Sequence, residues 1–248
     1  ALTEWSPVTV FALAKAVFGF VLVVGLYRIM VIFFVQAHWR LLGLTLAVFG
    51  GGLGWLALLG LGAHPGLIWA YQDPQLVASL PVDLTYSAGY LWLSVLHSPL
   101  YVFSMGLIVW ICWATWRSLW SFRWIHLAGA GILLLGFTHP YDLVLLGGIG
   151  AGVIVLGIVG GLANQVFVKK LGRHFLVLAG WALPAVIYYG WLILFVPAMQ
   201  EWNKQNVLLT SNLRTVVAGF TPSIFFVIIG IRHWWRNNRQ FLYHKETL

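Results

Sequence analysis

The stretch GFTHPYDLVLLGG, residues 136–148, sets a histidine, a proline and an aspartate between two long apolar runs. Proline has no N–H to give a helix and biases the residue before it away from the helical region. One helix is therefore predicted to stop at His139, with Pro140 and Tyr141 turning the chain. Asp142 then falls in the first turn of the next helix, where the helix's N-terminal partial charge favours a carboxylate. With three residues between them, the two helices can form only a tight antiparallel hairpin. Because ionisable side chains are costly in hydrocarbon and usually face a protein or water-filled interior, His139 and Asp142 are also the leading candidates for a site.

The surroundings of that hairpin decide its solvent. Of 248 residues, 61% are hydrophobic and 8% charged, where a soluble domain carries roughly 25% charged residues. The mean hydropathy is +0.90. A soluble core of this size leaves too much surface for so apolar a chain to cover with polar groups. The expected fold class is all-α: a polytopic integral membrane protein forming one transmembrane helical domain over residues 1–248.

A hydrocarbon core of ~30 Å needs about 20 apolar helical residues per crossing. Seven segments are read as spans: 8–35, 40–61, 99–116, 124–138, 142–166, 174–196 and 214–231. The fourth, with fifteen residues, rises only ~22 Å, which would place the turn at 139–141 below the headgroups, at the floor of a cavity. Ser98 before Pro99 marks the start of the third span as N-cap and first helical residue. Within 62–98, the segment PVDLTYSAGYLWLSVLH (81–97) mixes aromatic, aliphatic and polar residues and reads as an interfacial or re-entrant helix.

The net charge of +8 raises the question of nucleic acid, but the placement of the basic residues answers it. Arg40, Arg117, Arg123, Lys169, Lys170, Arg173, Arg232, Arg236, Arg239 and Lys245 fall in alternate connections, against Lys204 and a borderline Arg214 in the others. Ten against two is the asymmetry of a membrane protein whose cytoplasmic connections are basic, not of a nucleic-acid surface. The N-terminus is thus expected outside and the C-terminus in the cytoplasm. Trp39, Trp116, Trp120, Trp124 and others near predicted helix ends fit an aromatic belt. With one cysteine, Cys112, there is neither an intramolecular disulfide nor a CxxC motif.

Asp83, Asp142, His97 and His139 all lie at or beside the outer connections. His97 is read as a binding residue facing the same cavity as His139. Lys15 and Arg28, in the first span, are read as snorkelling toward opposite interfaces, with Lys15 as an alternative partner for an anionic phosphate. The glycine-rich runs FGGGLGWL (49–56) and GGIGAGVIVLGIVGG (147–161) are read as close helix contacts. Metal-ligand spacing, HExxH, GxSxG and P-loop patterns are missing; no metal and no cofactor is assigned, and pigment or haem ligation by His126, His139 or His174 rests on isolated histidines alone.

The series VFALAKAVFGFVLVVGLYRIMVIFF, FGGGLGWLALL, PVDLTYSAGYLWLSVLHSPLYVFSMGL, FTHPYDLVLLG and IYYGWLILFVPAMQEWNKQNVLLTSNLRTVVAGFTPSIFFVIIGI resembles the central transmembrane part of a family of prokaryotic polytopic proteins similar to GT-C glycosyltransferases. That resemblance implies sugar transfer from a polyprenyl-phosphate donor outside the inner membrane, with Asp142 or Asp83 as the base, His139 beside it, and His97, Lys15 or Arg214 binding substrate or lipid phosphate. The chain departs from the family in two places. Ser98, Pro99 and Leu100 stand where a Ser-Pro-His is common, and an acid found near LTYSAGYL is replaced. The outer loop that supplies the catalytic acid in GT-C enzymes follows an earlier helix, so the chain is expected to be a piece of a longer one. The alternative expectation is a non-catalytic scaffold subunit of a larger membrane complex, respiratory or photosynthetic, with lipids and other membrane subunits as partners.

Overall fold

The computed structural model describes residues 6–49, 98–159, 165–205 and residue 228. These residues are helical, with no strand among them. In chain order the helices are α1 (Pro7–Phe33), α2 (Ala37–Phe49), α3 (Pro99–Ser118), α4 (Arg123–Thr138), α5 (Asp142–Val159), α6 (Gln165–Phe195) and α7 (Pro197–Gln205). Pro7–Phe33, Pro99–Ser118 and Lys170–Phe195 are long and apolar enough to cross a membrane, while α2, α4 and α5 are shorter apolar helices. The chain therefore carries three candidate membrane-spanning helices among the described residues. The second predicted span is described only as far as Phe49; the seventh, residue 228 apart, and the interfacial segment 81–97 lie outside the described residues.

Local chemistry sets the helix ends. Pro7 occupies the first turn of α1, and the Ser6 hydroxyl accepts from the Thr9 N–H at 3.2 Å, satisfying one of the amides that a helix start leaves open. The predicted start of α3 has the same form: Pro99 is its first residue, and Ser98 Oγ accepts from the Leu100 N–H at 3.2 Å. At the other end of α1, Arg40 reaches back from α2. Its Nε and Nη2 donate to the carbonyls of Phe34 and Val35, each at 2.7 Å. Such a cation answers carbonyls that the end of a helix leaves unpaired.

The chain divides into two compact units. The first includes α2 and most of α1; within it, a Cβ on Gly43 of α2 would come to 2.8 Å from Met30 Sδ. The second includes α3 from Phe103 onward, α4 to α7, and residues 24–29 of α1. Its core is Ile111 and Ala114 of α3 with Ala128, Ile132 and Leu135 of α4, flanked by Leu143 and Leu146 of α5 and Leu178 and Ala182 of α6. α4 and α6 make the most extensive helix pair. Outward-facing residues such as Val144 and Leu176, 79% and 73% exposed, are large and apolar, as a lipid-facing surface requires.

Two sequence expectations need correcting. First, α6 begins at Gln165, nine residues before the predicted span, so Lys169, Lys170 and Arg173 belong to a helix and not to a connection. Lysine, leucine and arginine are good helix formers, and a helix does not end where hydrocarbon does. The extension also has tertiary anchors, because His174 is 3% exposed and its Nδ1 and Nε2 lie 2.7 Å and 3.1 Å from the carbonyls of Lys170 and Ser118. Lys170 Nζ donates to the Leu119 carbonyl. The carbonyl of the last residue of α3 and that of the residue after it are thus answered by α6, which also leaves the His174 ring in a structural role.

Second, the described glycines from 147 to 152 in α5 are not close-packing positions. A Cβ on Gly147, Gly148, Gly150 or Gly152 would meet nothing within 4 Å. Within the hairpin the close approaches are in α4, where a Cβ on Gly129 would overlap the Trp181 ring. On Gly131 it would sit 2.8 Å from Ile111 Cγ1, and on Gly136 2.6 Å from Ala185 Cβ. Gly157, Gly161 and the run 50–54 fall outside the residues so described.

Candidate functional site

The turn between α4 and α5 is built as its residue order dictates. His139 ends α4 with φ −150° and ψ 74°, its N–H donating to the Leu135 carbonyl at 2.7 Å. The N–H groups of Asp142, Leu143 and Val144 then donate to the carbonyls of His139, Pro140 and Tyr141 at 3.1 to 3.2 Å. Three residues thus reverse the chain, and every one of their carbonyls finds a donor. The Thr138 hydroxyl folds back onto the Leu134 carbonyl at 2.9 Å.

This turn brings the imidazole and the carboxylate together. His139 Nδ1 lies 3.0 Å from Asp142 Oδ2, and the two side chains are 21% and 20% exposed. Partial burial matters here: a pair on open water is worth little, whereas one removed from most water interacts more strongly and is costly to leave half-made. The same geometry positions an acceptor of protons, Asp142, against a group able to carry positive charge, His139. Tyr141 stands edge-on to the His139 ring at 6.4 Å and is 59% exposed.

A residue from α6 fixes the end of α4 to which the pair is attached. Tyr189 donates its hydroxyl to the Phe137 carbonyl at 2.8 Å, and Tyr188 packs against the Phe137 ring at 5.7 Å. Sequence reading missed Tyr189. The only signal was a pair of tyrosines in the apolar run IYYGW (187–191), since a buried tyrosine hydroxyl generally has a partner.

Of the other predicted site residues, Asp83, His97 and Arg214 lie outside the described residues. Lys15 is on α1 in the first compact unit, whereas the His139–Asp142 pair belongs to the second. Beyond α6 comes the short polar helix α7, where Lys204 pairs with Glu201 at 2.7 Å on an exposed face. Among the described residues no three His, Cys, Asp or Glu side chains gather as a metal site. Comparison with protein-family models, curated proteins and solved structures finds no match to this chain.

Proposed function

We propose that the chain is the transmembrane core of a GT-C-like glycosyltransferase of the prokaryotic inner membrane, taking sugar from a polyprenyl-phosphate donor on the extracytoplasmic side. The observation carrying this reading is the His139–Asp142 pair, 3.0 Å apart and one-fifth exposed, at the end of a short helix, where a capping aspartate alone needs no imidazole beside it. In this reaction the acceptor hydroxyl oxygen attacks the anomeric carbon. The anomeric carbon–oxygen bond to phosphate breaks, polyprenyl phosphate leaves with the bonding electrons, and the hydroxyl proton passes to the Asp142 carboxylate. A carboxylate within hydrogen-bond reach of the hydroxyl acts as such a base, and holding both reactants at one membrane face adds the gain of proximity. His139, with Nδ1 3.0 Å from Asp142 Oδ2, positions the carboxylate.

The test is sugar transfer in vesicles carrying the whole protein. Asp142→Asn abolishes turnover, expected at 10²-fold or more for loss of a general base, with folded protein retained. His139→Gln lowers turnover less. Unchanged turnover in Asp142→Asn removes Asp142 from the chemistry and leaves it as a helix cap, which is the outcome that a non-catalytic membrane subunit predicts.

A further inference from the structure

The second compact unit contains a groove of about 500 Å³ whose walls are almost wholly apolar. It is lined by residues of α3, α5 and α6, with Ile132 contributed by α4. Along α5 its lining runs from Leu143 to Ile154, ~17 Å at 1.5 Å per residue. That is close to one leaflet's share, ~15 Å, of a ~30 Å hydrocarbon core. The groove owes its width to missing side chains: Gly147 and Gly150 line it, and a Cβ on either would meet nothing within 4 Å.

The two ends of the groove differ in charge. Its lining at one end is Thr115, Leu171 and His174, and the chain segments around them carry Arg117, Arg123, Lys170 and Arg173. Arg173 lies over the Phe122 ring at 4.5 Å, and Arg117 and Arg123 lie about 6 Å from the Trp124 ring. The only acids among the described residues are Asp142 and Glu201, paired with His139 and Lys204 beyond the far ends of α4 and α6. Four cations therefore gather at one end with no described carboxylate to answer them. Stacking on aromatic faces holds the guanidinium groups in place and leaves their N–H donors available.

We infer that this groove holds an anionic phospholipid of the leaflet facing the basic end, one acyl chain lying along Gly147 and Gly150 and the phosphate beside Lys170 and Arg173. Charge complementarity and chain length select this occupant over a zwitterionic lipid or a protein helix: an anionic headgroup has a net negative charge to answer the cluster, where a zwitterionic one offsets its phosphate with an ammonium of its own, and a single chain matches a slot one leaflet deep. The inference is independent of sugar transfer, whose site lies at the other end of α4.

Native mass spectrometry of the full chain, purified in detergent and titrated with phosphatidylglycerol or phosphatidylcholine of matched acyl length, tests it. The parent protein retains phosphatidylglycerol several-fold better than phosphatidylcholine. The double substitution Lys170→Gln and Arg173→Gln brings the two lipids to the same level, whereas Gly150→Phe, filling the slot, reduces both. Equal uptake of the two lipids by the parent overturns the inference, as does full phosphatidylglycerol retention in either variant when its melting temperature matches the parent's. A Gly150→Phe protein that melts well below the parent, in a chain that retains neither lipid, shows the groove filled by another protein segment and overturns it equally.

Discussion

α4 and α5 are neighbours in sequence, both apolar and both glycine-rich, yet they use glycine in opposite ways. In α4, Gly129, Gly131 and Gly136 are places where another helix occupies the space a side chain would need: the Trp181 ring, Ile111 and Ala185 respectively. α6 is pressed against α4 and tied to it near its end by the Tyr189 hydroxyl on the Phe137 carbonyl. In α5, Gly147, Gly148, Gly150 and Gly152 face open space, and two of them widen a groove. A glycine count therefore says nothing about packing until the partner is known. The same residue brings backbones together where a bulky neighbour fills the vacated volume, and keeps a channel open where none does.

Substitution separates the two uses. Gly129→Leu should have the largest effect. Its side chain has to share volume with the Trp181 ring, and overpacking of that kind typically costs 1–3 kcal/mol or more, so thermal denaturation in detergent should show a fall of many degrees or loss of the folded fraction. Combining it with Trp181→Ala should recover part of the loss, because residues in contact are not additive; a purely additive pair would mean that the two do not meet. Next comes His174→Ala, which strips the Ser118 carbonyl of its partner and leaves a hole in a buried position. A cost of about 1–3 kcal/mol is expected, seen as a lower melting temperature. Tyr189→Phe removes a single hydrogen bond to Phe137 and should cost about 0.5–1.5 kcal/mol. The smallest effect belongs to α5: Gly148→Ala should be neutral or stabilising by up to about 1 kcal/mol, since alanine is the better helix former by that amount and meets no neighbour. If Gly148→Ala destabilises as much as Gly129→Leu, the contrast between the helices is wrong.

The hairpin was readable from a few letters. Pro140 stops one helix, the residue before it ends that helix as its cap, and Asp142 opens the next, all through local backbone chemistry. The partnership of His139 with Asp142 was accessible for the same reason, since three residues around a tight turn leave the two side chains little choice but to meet. Tyr189 was not accessible, because 52 residues separate it from Phe137 and no pattern within either helix announces the other. The extension of α6 was missed on different grounds. Hydropathy marks the apolar part of a helix, and this helix begins nine residues before the predicted span, at Gln165, which lets Lys170 reach the Leu119 carbonyl.

By itself, then, the amino-acid order settled the helical class, the apolar character of the candidate membrane helices, the helix start at Pro99 and the turn at Pro140, because each depends on transfer energies or on backbone groups a few bonds apart. Tertiary structure alone decided which glycines are contacts and which are space, where the cations of α6 find carbonyls, and that a slot runs beside α5. Those features depend on which helix faces which, and a side chain's neighbours across a bundle are fixed by the packing of whole helices, not by the residues beside it in the chain.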